Sequence, residues 1–127
     1  MIDATSSTHG FRIESTCAGA MSILSPHGEL DLAGVETLLS HVDRLLQDGP
    51  LVIAVDLRGL TFMDASGVHA LITAGRRCEA HGRRFTVVRG ANQIDRLLKV
   101  CGLDGYFDMV SELDQLPDGE LMAAAGL

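Results

Sequence analysis

The stretch Asp56-Leu57-Arg58-Gly59-Leu60-Thr61-Phe62-Met63-Asp64-Ala65-Ser66-Gly67 decides the fold class of this chain. It follows the apolar run 51–55, which is typical of a central strand covered on both faces. It precedes a helical pattern that begins at Val68. We therefore expect Ser66 to lie where a buried strand turns into a helix, close to free backbone N–H groups and the positive end of a helix dipole. A phosphate on Ser66 would be tolerated at such a position.

Strand and helix patterns alternate on both sides of this stretch. Residues 11–15 and 20–24 indicate two short strands that pair antiparallel, with Ser25-Pro26-His27-Gly28 as a turn after them. Asp31 is expected to cap a helix that Gly49-Pro50 ends. The remaining elements are expected as a helix from 68 to about 81, a strand at 84–88, a helix at 92–101, a strand at 106–110 and a last helix at 112–116.

This order predicts one α/β domain with a mixed, mainly parallel sheet of about four to five strands and four or so helices. We expect residues 1–9 to be flexible, residues 10–116 to form the domain, and residues 117–127 to be a helical or frayed tail. No internal repeat is evident. At 127 residues the chain is long enough to bury a core without disulfides or metal.

Charge and hydropathy exclude several classes of partner. The formal charge of −7 argues against nucleic acid or an anionic membrane surface as the main partner. The longest uncharged apolar run, at 51–55, is far too short to span a membrane, and the N-terminus lacks the pattern of a secretory signal. We therefore expect a cytoplasmic protein without membrane insertion.

The three cysteines, Cys17, Cys78 and Cys101, form no CxxC motif. Buried thiols in a reducing compartment are the simplest interpretation. A redox-responsive pair between Cys78 and Cys101 is the alternative, since the sequence does not give the distance between them.

An enzyme has little support in the sequence. Ala65-Ser66-Gly67 departs from the nucleophile elbow G-x-S-x-G, so a hydrolase with Ser66 as nucleophile is a weak third hypothesis. The five histidines are scattered without the spacing of metal ligands, and no P-loop is present. We expect no cofactor and no metal.

Three segments resemble the STAS domain family, and more closely its stand-alone bacterial anti-sigma factor antagonists. They are Gly28-Glu29-Leu30-Asp31, the stretch 56–67 and Arg96-Leu97-Leu98-Lys99-Val100-Cys101-Gly102-Leu103, so the resemblance covers about residues 10–116. It implies that Ser66 is the phosphoacceptor of an anti-sigma factor that is also a serine kinase. It further implies that the unmodified antagonist binds this kinase and releases the sigma factor, that phosphorylation breaks the complex, and that a PP2C-type phosphatase reverses it.

Two positions depart from the pattern of that family. Residue 65 is Ala where a second hydroxyl residue is common, which leaves Ser66 as the acceptor. Residue 69 is His where small or apolar residues are frequent, and His69 would lie one turn into the helix beside Ser66. It is therefore a candidate for shaping kinase docking or for making it pH-sensitive.

Simpler structural roles stay open for the candidate site residues. Ser66 is also a good helix N-cap, and Asp31 is either a cap or a partner contact. Asp64 either orients the Ser66 hydroxyl or bonds its own backbone in a turn. Gly67 permits either close approach of a partner or a tight turn between strand and helix. The alternative to a phosphorylation switch is a constitutive STAS adaptor, on the cytoplasmic ATPase of a transporter or in a signalling scaffold.

Overall fold

The computed structural model describes residues 2–8 and 10–113, and they form one seven-stranded sheet with three α-helices. The elements in chain order are β1 (Ile2–Thr8), β2 (Phe11–Ala18), β3 (Met21–Leu30), α1 (Leu32–Asp48), β4 (Val52–Asp56), β5 (Leu60–Met63), α2 (Ala65–Ala80), β6 (Arg84–Val88), α3 (Asn92–Val100) and β7 (Asp108–Val110). A short 3-10 turn, Leu57–Gly59, joins β4 to β5.

The strands lie in the order β1-β2-β3-β4-β6-β7, and β5 pairs with β3 beyond the end of β4. β1, β2 and β3 are antiparallel neighbours, whereas β3–β4, β3–β5, β4–β6 and β6–β7 are parallel pairs. The prediction of a mixed, mainly parallel α/β sheet is thereby confirmed, as is the antiparallel pairing of the strands around 11–15 and 20–24. The described residues contain more strands and fewer α-helices than expected.

β3 is much longer than the predicted strand at 20–24. The expected turn Ser25-Pro26-His27-Gly28 is instead part of β3, and it pairs with β2 through to Gly28. β4 pairs with β3 at Met21–Leu24 and β5 pairs with it from Gly28 onward, so Pro26 lies between the two ladders. A proline is tolerated at this position because neither β4 nor β5 pairs with it, so the backbone N–H that proline lacks is not needed on that side of β3.

Two further strands replace expected irregular segments. The segment expected to be flexible forms β1, which pairs antiparallel with β2 along the edge of the sheet. β5, four residues long, was not predicted as a separate strand, because the turn before it interrupts the apolar pattern. The last helix predicted at 112–116 lies almost entirely outside the described residues, as does the tail 117–127.

The sheet buries its two faces unequally. The larger core contains α1, α2 and α3 packed on one face, and a small cluster of Met21, Ile23, Val52 and Ala54 covers the other. The predicted helix ends of α1 are confirmed: the Asp31 carboxylate accepts from the Ala33 N–H, and Gly49 ends the helix in the left-handed conformation. α1 and α2 lie side by side and start from adjacent parallel strands, which places their N-termini at the same edge of the sheet.

Candidate functional site

Ser66 is the second residue of α2, directly beyond the end of β5. The helix begins at Ala65, earlier than the predicted start at Val68, and Asp64 is its N-cap. Asp64 Oδ1 accepts from the Ser66 N–H at 2.9 Å and from the Gly67 N–H at 3.3 Å. The capping role considered for Ser66 is therefore wrong. Ser66 is half-buried, and its hydroxyl makes no hydrogen bond to any described residue.

Of the two roles considered for Asp64, bonding to its own backbone is the one that the geometry supports. Removing the cap in Asp64→Ala should cost about 1–2 kcal/mol of unfolding free energy, because two N–H groups of α2 lose their acceptor. Asp64→Asn should retain most of the stability, since asparagine caps about as well as aspartate. Urea unfolding of the two variants measures the difference. An equal loss in both would show that the charge of Asp64, rather than the cap, carries its contribution.

The turn that holds Ser66 has a counterpart on the neighbouring strand. Leu30, the last residue of β3, pairs with Met63, the last residue of β5. Each is followed by an aspartate that caps a helix, and Asp31 accepts from Ala33 N–H as Asp64 accepts from Ser66 N–H. Leu30-Asp31-Leu32-Ala33-Gly34-Val35 and Met63-Asp64-Ala65-Ser66-Gly67-Val68 are therefore equivalent turns, which is a local repeat that the sequence analysis missed.

Gly67 is buried where α2 passes closest to β3. A Cβ at this position would lie 2.9 Å from the Leu30 carbonyl oxygen and 2.5 Å from Met63 Cγ. The backbone of α2 can approach β3 this closely only without a side chain at Gly67. This packing accounts for the glycine; direct contact between Gly67 and a partner stays a prediction.

Ser66 borders an open, largely apolar depression between the first turns of α1 and α2. Its lining is Leu32 and Val35 from α1, with Ala65, Ser66 and His69 from α2. Leu32 is 75% exposed, which is unusual for a leucine, and His69 is exposed one turn beyond Ser66. The structure therefore brings Ser66 and His69 together as expected. It adds Leu32 to the site. The signal in the sequence is that Leu32 is an apolar residue directly after the helix cap Asp31.

Phe62 and Met63 divide between surface and core as their alternation in β5 predicts. Phe62 is 47% exposed, whereas Met63 is buried beside Gly67. Asp56, at the end of β4, is buried. Its carboxylate accepts from the Arg58 backbone N–H and, through both oxygens, from the Arg58 guanidinium.

The three thiols differ in environment. Cys78 is buried in α2, and burial raises its pKa to about 11. Cys17 and Cys101 are exposed, which corrects the expectation that the thiols are buried. All three are free. A thiol with so high a pKa is a poor nucleophile for disulfide exchange, which weighs against the redox pair of Cys78 and Cys101.

Among residues 2–8 and 10–113, no group of three or more histidine, cysteine, aspartate or glutamate side chains is arranged to hold a metal ion. Within the same part of the chain, each helix is too short or too polar to cross a membrane.

Comparison with known proteins matches residues 12–116 to the family model of the STAS domain. The anti-sigma-F factor antagonist RsfB of Mycobacterium tuberculosis is 26% identical over 93 residues, which are 73% of this chain and 75% of RsfB.

Two solved structures share the fold. An anti-sigma factor antagonist from Mycobacterium paratuberculosis superposes with a TM-score of 0.72 at 22% identity, covering 89% of this chain and 92% of its own. The Bacillus cell fate determinant SpoIIAA, in its phosphorylated form, superposes with a TM-score of 0.65 at 22% identity, covering 86% of this chain and 98% of its own.

Proposed function

Because the chain belongs to the STAS domain family, we propose that it is an anti-sigma factor antagonist that is switched off by phosphorylation of Ser66. In this proposal it acts in the cytoplasm by binding rather than by catalysis. Its partners are an anti-sigma factor that is also a serine kinase and a PP2C-type phosphatase. The observation that carries the proposal is the hydroxyl of Ser66 at the border of an apolar depression, beside a cap that Asp64 already provides.

The depression has the character of a docking surface. Leu32, Val35 and Ala65 offer apolar contact area, and Leu32 in particular is exposed without a packing reason within the described residues. Small clusters of exposed apolar side chains rimmed by polar ones are typical of sites for protein partners. A partner covering this surface would bring its own atoms against Ser66 and His69.

The capping geometry determines what a phosphate on Ser66 would meet. The N–H groups of Ser66 and Gly67, which a phosphate at a helix N-terminus would use, are already bonded to Asp64. The phosphate would add about 1.5–2 negative charges beside that carboxylate. Repulsion between the two directs the phosphate away from the backbone, toward solvent and the docking surface.

A phosphate on Ser66 would weaken binding in a complex strongly, whereas it would change the stability of the fold little. In the free protein the phosphate stays hydrated, and the dipole of α2 stabilises a negative charge at its N-terminus by about 0.3–1 kcal/mol. In a complex, the same dianion would be desolvated over Leu32 and Val35, and the described lining of the depression contains no arginine or lysine to pair with it. This difference between free and bound states is what makes Ser66 suitable as a switch.

Asp31 and His69 have supporting parts in the proposal. Asp31 holds the start of α1, and with it Leu32, in place beside α2. His69 is on the same face of α2 as Ser66, since residues three apart are neighbours on a helix. We propose that both contribute to partner contact, with His69 next to the phosphate position.

Intact-mass measurement of the chain purified from its native cells tests the proposal. We expect a fraction of the protein to carry one phosphate, which peptide mapping assigns to Ser66 and which is lost in Ser66→Ala. Ser40→Ala, at an exposed serine in the middle of α1, is the matched control and should retain the phosphate. If no phosphate is found under any growth condition, the constitutive adaptor becomes the better hypothesis.

A further inference from the structure

A second depression, of about 510 Å³, lies at the other end of α1 from Ser66. It is enclosed between the C-terminal half of α1 and the hairpin of β2 and β3. The strands contribute Ser15, Cys17 and Ser22, and the helix contributes His41 and Arg44. Its volume is in the range of sites for small molecules.

The side chains under α1 change from apolar to polar along β2. Phe11, Ile13, Ser15 and Cys17 alternate in the strand and share the face that α1 covers. The first two are core residues, whereas Ser15 is 5% exposed and yet polar. Cys17 lies beside Ser22 of β3, with 3.9 Å between Sγ and Oγ.

Buried polar side chains are concentrated at this end of the core. Ser22 is 4% exposed and His41 is 5% exposed. Apolar side chains at these inward positions would extend the core and add stability, because buried hydroxyl and imidazole groups are costly to desolvate. Polar residues at core positions are expected mainly where a function requires them.

The described lining of the depression is positively charged, in contrast to the chain as a whole. Arg44 is exposed at its rim and makes no ion pair with any described residue. Its described lining contains no aspartate or glutamate, although the chain carries a formal charge of −7. Burial and the nearby Arg44 lower the pKa of His41, so its imidazole is neutral near pH 7.

The C-terminus of α1, whose carbonyls would repel an anion, is largely covered. The Arg83 guanidinium donates to the Pro50 carbonyl at 2.6 Å and to the Leu46 carbonyl at 3.4 Å. The Gly49 N–H donates to the Leu45 carbonyl. Among the described lining residues, Arg44 is therefore the charged side chain, and Ser15 and Ser22 supply neutral hydroxyls.

We propose that this depression binds a small oxyanion, namely the carboxylate or phosphate group of a small molecule. Arg44 pairs with the anion, and the hydroxyls of Ser15 and Ser22 donate hydrogen bonds to it. The site is separate from Ser66 and does not rest on the proposed function.

Titration of the ¹⁵N-labelled chain, followed by NMR, tests this site with two probes, inorganic phosphate and acetate, against chloride at equal ionic strength. We expect saturable shifts of the backbone amides of Cys17, Gly19, Ser22 and Gly49 with at least one probe and none with chloride. A response to phosphate alone would identify a phosphate-bearing ligand, and a response to acetate alone a carboxylate. Shifts that do not saturate, or that are scattered over the surface, would overturn the proposal.

Two variants assign the binding to this depression. Arg44→Gln should weaken binding by about tenfold or more, the expected loss of a charge-assisted hydrogen bond. Arg96→Gln removes another exposed arginine, on α3, and should leave the affinity unchanged. An equal effect of the two variants would reduce the binding to general attraction by surface charge and contradict the proposal.

Discussion

Ser66→Asp should weaken the complex with the anti-sigma factor by about a hundredfold or more. The substituted carboxylate would lie beside Asp64, whose oxygen already occupies the N–H groups of the first turn of α2. On docking it must lose water over the apolar lining of the depression, and an uncompensated charge at an interface costs several kcal/mol. Since about 1.4 kcal/mol is tenfold in affinity, this loss is enough to break the complex.

Isothermal titration calorimetry with the purified anti-sigma factor measures this effect. Ser66→Ala should bind about as tightly as the unmodified chain, because Ser66 provides no cap that alanine would remove. Ser40→Asp introduces the same charge on an exposed part of α1 and should change the affinity little. Unchanged affinity of Ser66→Asp, with the fold intact by circular dichroism, would show that the partner docks elsewhere.

Gly67→Ala should destabilise the fold by about 1–3 kcal/mol. The added Cβ would meet the Leu30 carbonyl oxygen at 2.9 Å, and a backbone atom cannot rotate away as a side chain can. The start of α2 must therefore shift away from β3. This loss outweighs the gain in helix propensity, which is about 1 kcal/mol for glycine to alanine.

Gly75→Ala, in the same helix, is the matched control for this prediction. There the nearest atom to a new Cβ is a ring carbon of Phe85 at 3.2 Å, and a ring can adjust. Chemical unfolding of both variants should show a much greater loss for Gly67→Ala. If the two lose equal stability, close approach of α2 to β3 is not what requires glycine at position 67.

The sequence predicted the parts of the fold that depend on local chemistry. Asp31 and Gly49 bound α1 as expected, because a capping carboxylate and a left-handed glycine act within a single turn. The helix α2 itself was predicted, but its start was placed three residues too late, because Asp64 and Ser66 are both good caps and local preference does not separate them. In the structure the helix begins at Ala65, and Gly67 in its first turn packs against Leu30.

The strand predictions failed where long-range pairing overrides local preference. Pro26 and Gly28 favour a turn, yet β2 pairs across both of them and keeps β3 extended. Gly28 has a φ of +92° and lies so close to the Gly10 carbonyl that only glycine fits. Gly28 was expected in a turn because the local sequence around it does not show that β2 lies beside it.

Ser66 and His69 of the candidate site were predicted, whereas the residues that α1 contributes were not. Ser66 and His69 could be placed together from helical spacing alone, and the structure confirms that they border the same depression. The part that α1 contributes, Leu32 and Val35, depends on the pairing of β3 with β5, which joins distant parts of the chain. That pairing could not be inferred, because β5 itself was not recognised.

The two equivalent turns at the ends of β3 and β5 have a consequence for how a kinase would choose its target. Ala33 and Ser66 each have a capping aspartate two residues before them and a buried glycine directly after them. Ser66, the proposed acceptor, differs from Ala33 at the equivalent helix start by a single oxygen atom. Because alanine has no hydroxyl, a kinase that recognised this backbone turn could transfer a phosphate only at Ser66.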